Sequence, residues 1–207
     1  MPETAPTFAL PDTEGHTHAL DGDTSVATVA VFTCNHCPYA LAWHDRIADV
    51  ARDYADRGVR VLAINPNDAE RYPRDSLEAM QSRVREDGGW PMPYLHDATQ
   101  EVARAYGAQT TPDVFVIDSE GTLRYRGAPD SDYGDPSQNA AWLRGALDAV
   151  LVGDTPLDVL AAREAGARAV AVATGLAELD ALRESCPDAL LQYLRDTDAA
   201  IRAITST

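Results

Sequence analysis

The amino-acid sequence predicts an α/β fold, in which a buried β-sheet is covered by helices on both faces. Apolar, β-branched runs at residues 26–32 and 59–64 predict buried strands. Amphipathic runs with helical spacing alternate with these strands along the chain. The resulting order, β-α-β-α-β-β-α, favours parallel crossover connections, and a turn at residues 118–121 adds one antiparallel hairpin.

The 207-residue chain is strongly acidic, with a formal net charge of -16, and all 17 of its basic residues are arginine. This charge predicts that it binds neither nucleic acid nor anionic membrane surfaces. No apolar stretch has the length needed to span a bilayer, and the first residues lack the pattern of a secretory leader. With three cysteines, two of them in one C-x-x-C motif, we expect a cytoplasmic protein rather than a disulfide scaffold.

The C-x-x-C motif, Cys34 to Cys37, lies where the strand at 26–32 turns into the first helix. Unpaired N–H groups and the positive end of a helix dipole stabilise a thiolate at such a position. Two thiols with this spacing can close a disulfide, and Pro38 suits a first helical position. The motif therefore predicts a redox-active dithiol. We expect Cys34, as the more exposed cysteine, to attack a disulfide and Cys37 to resolve the mixed disulfide. His36, when protonated, would add positive charge beside Cys34.

The other elements are predicted in the same way, from the spacing of apolar residues and from the residues that typically begin or end a helix. Residues 5–20 predict a short strand and a turn near Gly15, and the acidic residues 130–135 predict a solvated loop. The first helix is predicted from one apolar face, formed by Ala40, Trp43, Ile47, Val50 and Tyr54. A second helix carries Leu77, Met80 and Val84 after a cap at Asp75 or Ser76. Further predicted elements are a helix at 99–106, a strand at 112–117, a hairpin strand at 123–126 and a helix at 139–150.

Five segments in order, residues 5–10, 32–39, 64–68, 105–113 and 125–127, resemble the thioredoxin-like superfamily. The resemblance covers about residues 7–149 and is to the redoxin branch (AhpC/TSA, peroxiredoxin-like). It implies a thioredoxin-like fold and thiol–disulfide oxidoreduction without a metal or organic cofactor. It also implies that Pro112 is a cis-proline facing the dithiol, with Thr111 before it. The chain departs from thioredoxins at Thr28, where those proteins bury an acid, so that proton-shuttling group does not carry over.

Residues 150–207 resemble the C-terminal part of haloacid-dehalogenase-type hydrolases, which implies a Rossmann-like α/β extension to a first domain at 1–149. Asp154 and Asp158 match the acids that help to hold Mg²⁺ in that family. The sequence predicts strands at 151–152 and 169–172 in this segment. Because the chain has no lysine, and because the only candidate nucleophile, Asp118, lies in a hairpin turn, we expect no phosphatase activity.

Two alternative functions remain open. In a peroxiredoxin-like thiol peroxidase, Cys37 would attack the peroxide and Cys34 would resolve the product. In a non-enzymatic module, Cys34 and Cys37 would bind zinc together with two of His16, His18 and His44, or the chain would bind a partner. The expected substrates are therefore disulfides of proteins or small molecules, or peroxides.

Overall fold

The computed structural model describes residues 4–22, 24–151, 159, 170–172, 179–187 and 189–191. The chain divides into two compact units, residues 1–147 and 148–207. The domain boundary between residues 149 and 150 remains a prediction. None of the helices in the described part of the chain is both long and apolar enough to cross a membrane.

The first unit contains a short antiparallel hairpin and a five-stranded mixed sheet. The hairpin pairs β1 (Ala9–Pro11) with β2 (Thr17–Ala19). The sheet consists of β3 (Ala27–Phe32), β4 (Val59–Asn65), β5 (Tyr94–His96), β6 (Asp113–Asp118) and β7 (Leu123–Gly127), in the order β5-β4-β3-β6-β7. Strands β3, β4 and β5 are parallel, whereas β6 runs antiparallel to β3 and to β7.

Strand β3 is the centre of this sheet, and all six of its residues are buried. On one face of the sheet, aromatic and aliphatic side chains pack against Phe8 near the hairpin and against Tyr106. The rings of Phe32 and Phe115 contact each other edge-on at 5.5 Å between centroids, and Phe32 also contacts Tyr106. The central position of β3 fixes the start of the loop that carries the cysteines.

Four helices belong wholly or partly to the first unit: α1 (Pro38–Ala55), α2 (Leu77–Glu86), α3 (Glu101–Tyr106) and α4 (Ala141–Leu151). The apolar face predicted for α1 is confirmed, because all five of its residues are buried. Pro38 is the first residue of α1, as its fixed φ favours. Ser76 caps α2 by accepting a hydrogen bond from the backbone N–H of Ala79 at 3.2 Å.

Two sequence-based expectations for this unit need correction. Strand β5 was not predicted, because three residues between Pro93 and Asp97 are too few for an alternating pattern to be visible. Leu77 is 40% exposed rather than part of the core, because it stands at the first position of α2, and only Met80 of the predicted stripe is buried.

The described part of the second unit is an α/β segment. Strand β8 (Val170–Val172) pairs in parallel with β9 (Ala189–Leu191), and α5 (Leu179–Glu184) lies between them in sequence. Val159, Ala171 and Leu182 form a small buried cluster. The predicted strand at 169–172 is thus confirmed for its described residues. A strand at Leu151 is wrong, because apolar residues recur with helical spacing up to Leu151, and α4 includes this residue. Val152, Asp154 and Asp158 lie outside the described residues.

Candidate active site

The two cysteines of the C-x-x-C motif converge on Thr111. Cys34 lies in the loop after β3, and its Sγ is 3.5 Å from Thr111 Oγ1. Cys37 is the residue immediately before α1, and its Sγ donates a hydrogen bond to the Thr111 carbonyl oxygen at 3.1 Å. Both are free thiols. One residue of a neighbouring segment therefore contacts both sulfurs.

Thr111 reaches the cysteines because of the sheet topology. Strand β6 pairs antiparallel with β3, with Asp113 opposite Phe32, so the residues before β6 lie beside those after β3. The Thr111–Pro112 peptide bond is cis, as the family resemblance implies. Thr110 and Thr111 also border a cleft of about 310 Å³, whose other lining residues include Phe32, Asn67, Ala103 and Gln109.

The expected order of exposure of the two cysteines is wrong. Cys34 is 1% exposed, whereas Cys37 is only partly buried. Helix α1 begins after Cys37, so Cys34 lies outside the helix, directly beyond the buried end of β3. Cys37, and not Cys34, is the cysteine at the helix start.

Asp75, whose role was not predicted from the sequence, is fully buried beside the dithiol loop. Its Oδ1 accepts hydrogen bonds from the backbone N–H of Asn35 at 2.6 Å and from Asn65 Nδ2 at 3.2 Å. Its Oδ2 accepts from Asn67 Nδ2 at 2.9 Å and is hydrogen-bonded to Nδ1 of His36. A carboxylate with four partners in the protein interior is held firmly in one orientation.

The sequence contained one weak signal for this role. Asp75 and Ser76 were both candidates for the single cap of α2, and only one of them could occupy it. Ser76 is the cap, which leaves the carboxylate of Asp75 free to turn inward from a short 3₁₀ turn (Pro73–Asp75). No local pattern indicated that the acid would meet a loop forty residues earlier in the chain.

His36 is fixed on two sides. Besides its hydrogen bond to Asp75, its ring stacks on Tyr72 with centroids 4.9 Å apart and an interplanar angle of 17°. Its side chain remains 30% exposed. The residue is therefore ordered within the dithiol loop while keeping access to solvent.

Asn35 connects the dithiol loop to the rest of the unit. Its side chain donates to the Arg74 carbonyl at 2.8 Å and accepts from the Tyr94 hydroxyl at 2.9 Å. Arg83 Nη1 donates to the Cys34 carbonyl at 3.2 Å. Burial raises the pKa of Tyr94, so its hydroxyl stays protonated and remains a donor at neutral pH.

Three metal-ligating residue types meet at this loop. Cys34 Sγ, a ring nitrogen of His36 and a carboxylate oxygen of Asp75 lie within 4.8 Å of one another. Across the described ranges, no other group of three or more potential ligands of this kind is found. The alternative zinc site, in which Cys34 and Cys37 bind the ion with two of His16, His18 and His44, is not among the groups that these residues form.

Each of those three histidines has other contacts. His16 and His18 lie beside Asp12 at the β1–β2 hairpin, with His18 Nε2 at 2.8 Å from Asp12 Oδ2. His44 lies on α1 against the ring of Trp90, and burial lowers the pKa of its imidazole.

The acidic loop after β7 is not simply solvated. Asp130 is 1% exposed and accepts hydrogen bonds from Arg46 Nη1 at 2.6 Å and Trp43 Nε1 at 2.7 Å. Arg46, itself 5% exposed, also donates to the Tyr133 carbonyl at 2.6 Å. The prediction failed for Asp130 because its partners lie on α1, more than eighty residues earlier.

Comparisons with known proteins agree with this architecture. The chain is 28% identical over 127 residues to the thiol:disulfide interchange protein DsbE of Allochromatium vinosum. The aligned region covers 59% of this chain and 63% of that relative. It thus spans less than two thirds of the length of that curated protein. A hypothetical protein from Sinorhizobium meliloti 1021 is similar in structure, with 40% identity, a TM-score of 0.68 and coverage of 73% of this chain and 84% of that one. A putative thioredoxin from Neisseria meningitidis has 26% identity, a TM-score of 0.57 and coverage of 72% and 91%.

Two family models match different parts of the chain. Residues 135–197 match the HAD-hydrolase-like model, which begins earlier than the predicted boundary and includes α4. Residues 1–126 match the AhpC/TSA model, and these residues contain the dithiol loop, Thr111 and Asp75. The fold is thioredoxin-like, and the chain belongs to the AhpC/TSA family of redoxins.

Proposed function

We propose that the protein is a thiol–disulfide oxidoreductase that cycles between a Cys34–Cys37 dithiol and a disulfide. In one turnover, a substrate disulfide is cleaved to two thiols, and the two cysteines lose two electrons and two protons as their S–S bond forms. The observation that carries this proposal is the contact of both sulfurs with Thr111. Both sulfurs contact one residue beside the end of a buried strand, and the C-x-x-C spacing allows a disulfide between them.

We further propose that Cys37 makes the first attack. It is the more exposed of the two cysteines and directly precedes α1, so it is the cysteine that a substrate reaches first. Cys37 would form the mixed disulfide with the substrate, releasing the first substrate thiol. Buried Cys34 would then attack Cys37, releasing the second. This order reverses the one expected from the sequence.

The greater exposure of Cys37 also favours a second candidate, a thiol peroxidase. Cys37 would attack a peroxide, forming a sulfenic acid and releasing an alcohol or water. Cys34 would then condense with that sulfenic acid, forming the disulfide and releasing water. An external thiol would reduce the disulfide. The two candidates share the same dithiol and differ in the first substrate.

Parallel turnover assays with insulin disulfide and with hydrogen peroxide distinguish these candidates. Disulfide exchange predicts dithiol-dependent insulin reduction that Cys37→Ser abolishes, with Cys34→Ser trapping a mixed disulfide. Peroxidase activity predicts instead a sulfenic acid on Cys37 in the Cys34→Ser variant. Cys186→Ser is the matched control, because this exposed cysteine belongs to the other unit and should not affect either rate. Insulin reduction that survives in both site variants would refute the proposed dithiol.

The substrate class proposed here, disulfides of proteins or small molecules, is supported by the similarity to a thiol:disulfide interchange protein. The cleft bordered by Thr110 and Thr111 offers room for a substrate segment beside Thr111, the residue that both sulfurs contact. The expected cytoplasmic location remains a prediction.

A further inference from the structure

We propose that Cys34, His36 and Asp75 form a binding site for a thiophilic divalent cation, with Zn²⁺ as the best match. The three donor atoms already lie within 4.8 Å of one another. Thiolate sulfur, imidazole nitrogen and carboxylate oxygen are the three ligand types that zinc takes in proteins. This site differs from the one considered in sequence analysis, and it does not depend on the proposed redox activity.

The geometry requires only small shifts. Zinc–ligand bonds of about 2.0–2.3 Å place tetrahedral donor atoms roughly 3.3–3.6 Å apart. Asp75 is buried and held in place, whereas the side chain of His36 is 30% exposed. Opening the hydrogen bond between His36 and Asp75 by about 1 Å, together with a shift of similar size by the Cys34 side chain, would bring the three donor atoms to this spacing.

The surroundings of Asp75 are those of a ligand that is already oriented. Asn35 and Asn65 hold Oδ1, and Asn67 holds Oδ2, so only the bond to His36 would be replaced by the metal. Hydrogen bonds of this kind orient carboxylate ligands in metal sites. The cation would take the place of the hydrogen between the His36 ring and the Asp75 carboxylate.

The charges also balance. A divalent cation together with one thiolate and one carboxylate has no net charge, which favours burial of the group. On binding, the Cys34 thiol releases one proton to solvent, and the ring hydrogen of His36 moves from Nδ1 to Nε2. Three protein ligands leave one tetrahedral position for water.

Binding at this site would exclude the Cys34–Cys37 disulfide, because the ion and the S–S bond both require the same sulfur. Zinc would therefore block oxidation of the dithiol, and a chelator would restore it. The ion would protect Cys34, but not Cys37, from alkylation.

The test is a titration of the reduced, full-length protein with Co²⁺, whose thiolate complexes absorb strongly in the near ultraviolet, followed by competition with Zn²⁺. We expect one equivalent to bind with this absorption, and we expect Cys34→Ser to abolish it. Asp75→Asn and His36→Ala should weaken binding at least about 100-fold. Cys37→Ser and Asp68→Asn, an exposed acid in the same region, should bind within a few-fold of the parent.

Other outcomes of the Co²⁺ titration would contradict the proposed metal site. Absence of saturable Co²⁺ binding would do so directly. Binding that Cys37→Ser abolishes and His36→Ala leaves intact would indicate simple chelation by the two thiols. If Asp75→Asn fails to fold, His36→Ala decides, since this partly exposed residue can be changed without opening the core. A protein that binds Co²⁺ at this site and does not reduce insulin would contradict the proposed function alone.

Discussion

Asp75 and Asp130 are both buried carboxylates in the first unit, and they differ in what neutralises their charge. Asp130 faces Arg46, a buried guanidinium that is always charged, at 2.6 Å. Asp75 is hydrogen-bonded to three amide groups and to the imidazole of His36. Both are 1% exposed or less, so water contributes little to either.

This difference distinguishes a carboxylate that only stabilises the fold from one that also contacts the dithiol loop. The ion pair between Arg46 and Asp130 holds the loop after β7 against α1, and the two charges balance each other. Asp75 lies within 4.8 Å of Cys34 and is hydrogen-bonded to His36 of the dithiol loop. We therefore expect changes at Asp130 to affect stability, and changes at Asp75 to affect the dithiol as well.

The largest effect is expected from Asp130→Asn. Removing one partner of a buried ion pair leaves Arg46 uncompensated and should cost about 3–5 kcal/mol of unfolding free energy. Urea denaturation measures this loss, and insulin reduction per folded molecule should stay unchanged. Arg52→Ala, which breaks an exposed pair with Asp49, is the control and should cost less than about 1 kcal/mol. A loss at Asp130 no larger than this control would remove the contrast.

A smaller loss of stability is expected from Asp75→Asn, at about 1.5–3 kcal/mol, because hydrogen bonds to a charged group are weakened while the shape is retained. Here the activity should also change. The carboxylate positions His36 and the backbone of Asn35 beside Cys34, so insulin reduction per folded molecule should fall at least about ten-fold. Unchanged activity in a folded Asp75→Asn protein would place Asp75 with Asp130 as a purely structural group.

A double-mutant cycle sharpens the comparison further. His36→Ala should cost about 1 kcal/mol, and its coupling with Asp75→Asn should be of similar size, because the two side chains are in direct contact. The corresponding cycle between His36→Ala and Asp130→Asn should give no coupling beyond error. Equal coupling in both cycles would mean that the two carboxylates do not act in separate networks.

The fold was largely predictable from sequence, because the period of β3, β4, β6 and α1 is strong and the cysteine motif lies between two of these elements. The roles of Asp75 and Asp130 were not predictable. Each contacts residues about forty or more positions earlier, and no local period records such contacts. The exposure of the cysteines was misjudged for a related reason, since it depends on where α1 begins to within a few residues.

The smallest effect is expected at Asp118. We predict that this residue does not act as a phosphatase nucleophile, so that the protein has no phosphatase activity for its substitution to remove. Its Oδ1 accepts hydrogen bonds from the backbone N–H groups of Glu120 and Thr122, and its Oδ2 forms an ion pair with Arg124. Both carboxylate oxygens are therefore already bonded within the hairpin. We expect no hydrolysis of p-nitrophenyl phosphate in the presence of Mg²⁺. Turnover that both Asp118→Asn and Asp154→Asn remove would show that the HAD-hydrolase-like segment is catalytic.

The central claim is that Cys34 and Cys37 form a reversible disulfide, and counting thiols tests it most directly. The protein is oxidised mildly, unfolded in denaturant and alkylated, and the labelled cysteines are identified by mass spectrometry. We predict one labelled cysteine, Cys186, after oxidation, and three after reduction, because the chain contains three cysteines. Labelling of Cys34 and Cys37 in the oxidised protein would contradict the account.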